Sequence, residues 1–87
     1  MLAFKKVNSI KDLLMYMYTF ETTTGASPKY IILHGSLTMY KIQKELYETA
    51  SLGHHHFQVN RLNGYTLFNA KMIVDATESR YECVMCT

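Results

Sequence analysis

The sequence predicts a single α+β domain over residues 1–87, with its elements in the order α-β-α-β-β-β. Two helices are expected on one face of a mostly antiparallel sheet of about four strands. Three observations carry this expectation. Two segments repeat apolar residues at helical spacing, a short wholly apolar run lies between them, and the last third of the chain alternates apolar with polar residues. A chain of 87 residues is one domain long, and 48% hydrophobic against 18% charged residues is the composition of a packed core, not of a disordered segment.

The first helix begins at Ser9, a capping residue, with Asp12 three positions on in capping-box spacing. Ile10, Leu13, Leu14, Met17 and Phe20 form its apolar stripe, while Lys11, Asp12, Tyr16, Thr19 and Glu21 point outward. The β-branched run Thr22-Thr23-Thr24 and then Gly25, suited to a left-handed cap, end it. Pro28 enforces an extended entry into Tyr30-Ile31-Ile32-Leu33, a run short enough to be a central strand. Gly35 and Ser36 open the second helix, with Ser36 expected as its cap. Met39, Ile42, Leu46 and Ala50 make its stripe, and Tyr40, Gln43 and Tyr47 lie beside it. Gly53 stops the helix.

Beyond Gly53 the pattern changes period. Phe57 and Val59 alternate with Gln58 and Asn60, and Asn63-Gly64 is a type I′ hairpin signal pairing Leu62 with Tyr65, Asn60 with Leu67 and Val59 with Phe68. In that register Phe57, Val59, Leu67 and Phe68 are core candidates, of which alternation buries about half, while Tyr65, Phe68 and Arg61 are residue types favoured at binding hot spots. Asn69-Ala70-Lys71 reads as a bulge or bend before the strand Met72-Ile73-Val74. Asp75 to Ser79 is a polar turn, and Tyr81 to Met85 is the last strand, with Tyr81, Cys83 and Met85 on one face.

Charge and cysteine usage narrow the function classes. A formal net charge of +2 is too small to imply a polyanion partner. Two cysteines, Cys83 and Cys86, fit a reducing cytoplasm, and the opening Met1-Leu2-Ala3-Phe4-Lys5-Lys6 has neither the apolar stretch nor the cleavage site of a signal peptide. A cytoplasmic protein is expected, with no membrane span.

Three groups of residues carry chemistry in principle. His54-His55-His56 and the pair Cys83/Cys86 are zinc-ligand types. On a strand, however, residues three apart face opposite ways, and neighbouring histidines diverge likewise, so no metal and no cofactor is expected. His34-Gly35-Ser36 stands where a strand meets a helix N-terminus, a place that favours anions and could pair a base with a nucleophile. No Walker motif and no G-x-S-x-G elbow surrounds it, so no catalytic residue is assigned and an enzyme is not expected. Lys5, Lys6 and Lys11 cluster, but the other basic residues scatter and no nucleic-acid motif is present.

Protein recognition is left as the leading reading. Seven tyrosines, four phenylalanines and six methionines are residue types enriched at interfaces. Tyr65 beside the expected turn, Tyr40 and Tyr47 flanking the second helical stripe, and Arg61 in the hairpin are the candidate binding residues. A small nucleic-acid-binding or metal-binding regulator is the alternative, and a homodimer is compatible with both.

The stretch from Pro28 to Asp75 carries a pre-strand proline, Tyr40 and Leu46 on a helix, Leu62-Asn63-Gly64-Tyr65, and Lys71-Met72-Ile73-Val74-Asp75. This pattern resembles small uncharacterised α+β proteins of bacteriophages and, locally, a strand–helix–hairpin segment of phage major capsid proteins. The resemblance covers a little over half the chain and its landmarks are structural. It implies an accessory protein that acts by binding a host or phage protein in the bacterial cytoplasm.

Overall fold

The computed structural model describes residues 1–52, 64–75 and 80–87. The elements are β1 (Leu2–Phe4), α1 (Ile10–Thr24), β2 (Tyr30–His34), α2 (Ser36–Leu52), β3 (Thr66–Leu67), β4 (Ala70–Asp75) and β5 (Cys83–Cys86). They build one mixed sheet in the order β1-β5-β2-β4-β3.

The α+β class holds, with two helices and one sheet, but the sheet differs from the expectation in three ways. A strand precedes α1, so the order opens on β. Among the described residues the sheet has five strands instead of about four. And β2 runs parallel to β4, from Tyr30↔Lys71 to His34↔Asp75, while the other three pairings are antiparallel. The parallel pair needs a crossover, and α2 supplies it. Seventeen residues of helix span about 25 Å, enough to carry the chain back past the length of β2.

Register sorts the side chains into two faces. On one face Leu2, Met85, Ile31 and Met72 form a row, and Phe4, Cys83, Leu33 and Val74 form the next. Leu13, Met17 and Phe20 from α1 and Ile42 and Leu46 from α2 join these rows in one buried cluster, so both helices lie on this face as expected. The α1 signals act as read. Asp12 N–H donates to Ser9 Oγ at 3.3 Å, and Gly25 adopts φ 78° with its N–H donating to the Glu21 carbonyl. Asp12 also reaches back, accepting at Oδ2 from the Asn8 N–H at 2.8 Å.

Several local readings are corrected. Tyr16 is not outward: it stacks on Phe4, with ring centroids 4.2 Å apart, and packs against the core. The unforeseen β1 strand puts Phe4 there. Leu14, placed in the apolar stripe, is 38% exposed at its edge. Ser36 is not the cap of α2. The Met39 N–H bonds to the Gly35 carbonyl, which makes Gly35 the capping position and Ser36 the first helical residue. The last strand is Cys83–Cys86, with Tyr81 before it.

The hairpin differs most. β3 pairs with β4 through Thr66↔Lys71 and Leu67↔Ala70, so the two-residue turn is Phe68-Asn69. Both turn residues have positive φ, 48° and 70°, the signature of a type I′ connection. The expected bend at Asn69-Ala70-Lys71 is therefore a hairpin turn, and Phe68 is no core residue, being 70% exposed. The expected strand through Phe57 and Val59, and the Asn63 side of the Asn63-Gly64 turn, lie outside the described residues.

Candidate functional site

The Phe68-Asn69 turn projects an aromatic ring at the end of the sheet where β2 and β4 begin. Type I′ turns favour Asn and Gly, because a side chain with a Cβ resists the left-handed region. Phe68 occupies that region and leaves its ring in water. Beside the turn lies an open groove of about 820 Å³ whose walls include Pro28, Lys29, Tyr30, Asn69, Lys71 and Thr87. The fold builds it from three places. Pro28 is buried and fixes the entry into β2, the Lys71 N–H bonds to the Lys29 carbonyl at 2.8 Å, and the Lys29 N–H bonds to the Cys86 carbonyl at 2.9 Å. Tyr30, 41% exposed, stands at the mouth. Two aromatic rings, two lysines and a rigid backbone floor suit a partner offering apolar and acidic groups together.

The predicted binding residues separate. Tyr40 is 58% exposed on α2, with Leu37 one turn earlier at 64%. Tyr65 is half-buried and packs against the core, so its ring is at least partly structural. Tyr47 lies in α2 but its side chain is outside the described part, and Arg61 and His54 to His56 lie outside the described residues. Tyr40 and Tyr65 are not brought together by any contact between them among those the structure describes. Phe68, an aromatic of the expected hairpin that also reads as a core position, is the one the structure exposes. The signal for a turn there is Asn69, which accepts positive φ, although Asn63-Gly64 is the stronger turn dipeptide.

The opposite end of β2 carries the strand–helix junction. A hollow of about 210 Å³ is lined by His34, Gly35, Ser36, Leu37, Thr38 and Glu82. Gly35 has φ 89°, and its N–H donates to the Asp75 carbonyl at 3.0 Å. His34 Nδ1 is buried and sits 3.6 Å from Asp75 Oδ2, beyond hydrogen-bond distance. Glu82 Oε2 accepts from the Val7 N–H. The carboxylates of Asp75 and Glu82 oppose an anion at the α2 N-terminus, and no described contact joins Ser36 to His34 as a base–nucleophile pair requires.

Cys83 is buried in the core and burial pushes its thiol up to about 12, whereas Cys86 is half-exposed on the other face. The two do not converge, as the strand geometry implied. Among the described residues no group of three or more His, Cys, Asp or Glu is placed to hold a metal ion, and no helix is long and apolar enough to cross a membrane. Comparison with protein-family models, with curated proteins and with solved structures found no match.

Proposed function

We propose that this chain is a small non-enzymatic accessory protein, of the kind phages encode, that acts in the bacterial cytoplasm by binding another protein. The observation that carries the reading is Phe68, an aromatic ring held in solvent at a backbone position that disfavours it. Such a side chain contributes little to its own fold and offers a large apolar anchor to a partner. Tyr30 and the lysine-flanked groove beside it extend the surface, and Tyr40 with Leu37 supplies a second exposed apolar pair. The phage likeness of the Pro28 to Asp75 stretch supports the biological setting.

The test is affinity capture from host lysate with wild type, Phe68→Asn and Tyr40→Ala, all checked for unchanged melting. Wild type is expected to retain a discrete protein, Phe68→Asn to lose it by at least about tenfold in affinity, and binding to depend little on salt. Retention of nucleic acid, with affinity falling steeply between low and moderate salt and both variants silent, would overturn the protein-binding reading in favour of the nucleic-acid alternative.

A further inference from the structure

The groove beside the Phe68-Asn69 turn carries charge of one sign. Lys29, at the entry to β2, and Lys71, on the neighbouring strand β4, stand exposed on its walls. Among the described residues no acidic side chain lines the groove, and neither lysine is in an ion pair. Glu21 reaches its edge only through Ser27, whose hydroxyl donates to Oε1 at 2.9 Å. The chain has a formal net charge of only +2, so two lysines without a carboxylate gather that excess in one place. Lys71 pairs with Tyr30 across the strands and shares its face, while Lys29, one residue earlier, projects to the other. The two ammonium groups therefore border the groove from opposite faces of the sheet. Ala26, the buried Pro28 and Tyr30 supply its apolar surface.

We infer that this groove takes a short extended segment of a partner protein, acidic and carrying one aromatic residue. The inference rests on the protein-binding function proposed above and names the chemistry of the partner. Charge selects an acidic occupant, since both lysines gain a carboxylate they lack within the chain. Size selects a segment. A volume of about 820 Å³ falls in the ~300–1,000 Å³ range of sites that enclose a small ligand. A few residues of extended chain fill it, whereas the convex surface of a folded domain would rest on the rim. Rigidity favours the same occupant. The Lys71 N–H to Lys29 carbonyl bond and the Lys29 N–H to Cys86 carbonyl bond fix the floor before anything binds, so only the segment loses freedom. Apolar surface beside the lysines accounts for the aromatic residue. Two basic groups are too few to track a phosphate backbone, and they keep the salt dependence shallow, about a few-fold between low and moderate ionic strength.

Fluorescence anisotropy of a fluorescein-labelled, end-blocked peptide Glu-Asp-Glu-Phe-Glu-Asp-Glu, titrated with the full chain, tests this. Saturable binding is expected with Kd between about 10 µM and about 1 mM. Replacing Phe by Ala in the peptide should weaken it about fivefold. Lys29→Gln and Lys71→Gln should each weaken it about threefold, and Lys29→Glu/Lys71→Glu at least about tenfold, all with unchanged melting curves. The double variant should also gain binding to the peptide with Lys in place of every Glu and Asp, which wild type should not bind. No saturable binding by wild type up to about 1 mM overturns the proposal. So does a double variant that binds the acidic peptide as wild type does, or an oligothymidylate bound more tightly than the peptide. Lysate capture separates the two claims. A protein retained equally by wild type and by Lys29→Glu/Lys71→Glu leaves the protein-binding function standing and refutes the acidic segment as its means. Peptide binding with no protein retained upholds the groove and counts against that function.

Discussion

Replacing Phe68 by Asn should remove an entire aromatic ring at almost no cost in stability. Two terms oppose each other. Phe68 has φ 48°, and the left-handed region costs a residue with a bulky Cβ substituent roughly 1–2 kcal/mol, most of which Asn avoids. Against this, the ring is 70% exposed and hides only the remainder. For an aromatic side chain of about 200 Å² that is about 60 Å², worth at most about 1.5 kcal/mol at 25 cal/mol per Å². The difference lies within about 1 kcal/mol of zero. Phe20 is the internal comparison: it is 1% exposed, and Phe20→Ala should cost about 3–5 kcal/mol. Urea unfolding followed by circular dichroism compares the midpoints directly, with equal slopes required before they are converted to free energies. A loss above about 2 kcal/mol in Phe68→Asn would make the ring a structural element and refute the view of it as a binding anchor.

Four further outcomes are expected. Gly35→Ala should destabilise by about 1–2 kcal/mol through backbone strain alone, since φ is 89° and an added Cβ meets nothing within 4 Å; a melting curve checks it. Gly64→Val should cost a similar ~1–2 kcal/mol for the same reason, at φ 92°. Ser9→Ala should cost about 1 kcal/mol by releasing the Asp12 N–H, read as a lowered midpoint with unchanged slope. Cys83 bears on alkaline stability. Its thiol is raised from 9.0 to about 12 by burial, so the unfolded chain loses that proton first. The stability it contributes is complete below pH 9 and is lost as pH rises toward 12, at about 1.4 kcal/mol per unit through that window. Tyr16, raised mainly by burial and also by Asp12, acts in the same sense, so Cys83→Ala compared with wild type across the alkaline range isolates the thiol.

What could be read from the sequence was local. The start of α1 at Ser9, its stop at Gly25 and the buried Leu13, Met17 and Phe20 follow from chemistry within a few residues of each position. So does the strand between Pro28 and Gly35. The errors share a different cause. Leu2–Phe4 is three residues long, too short to show alternation, and becomes a strand only because Met85, Val84 and Cys83 lie beside it. Tyr16 reads as outward from the helix alone because its partner Phe4 belongs to that strand. The turn at Phe68-Asn69 is set by the Thr66↔Lys71 register, which the turn dipeptide alone does not announce. At the candidate site, Tyr40 is legible as a flanking helical residue and Phe68 as an aromatic of the hairpin, but whether Phe68 is core or exposed depends on which turn forms.

The position of β5 between β1 and β2 has a kinetic consequence. The pairing Leu2↔Met85 joins residues 83 positions apart (85 minus 2), and among the described residues β1 has no other strand partner. The central strand β2 likewise waits for β4 and β5, both formed from the last third of the chain. Loop-closure entropy must be met before these contacts return any enthalpy, so the sheet gains little from assembling stepwise from its first strand. Helix α1 and the β3–β4 hairpin are the pieces able to form early, and docking of β5 is the late event that joins β1 to β2. Refolding should therefore be slow beside helical domains of equal length. Substitutions at Met85 should speed unfolding more than they slow folding, and those in the hairpin should do the reverse.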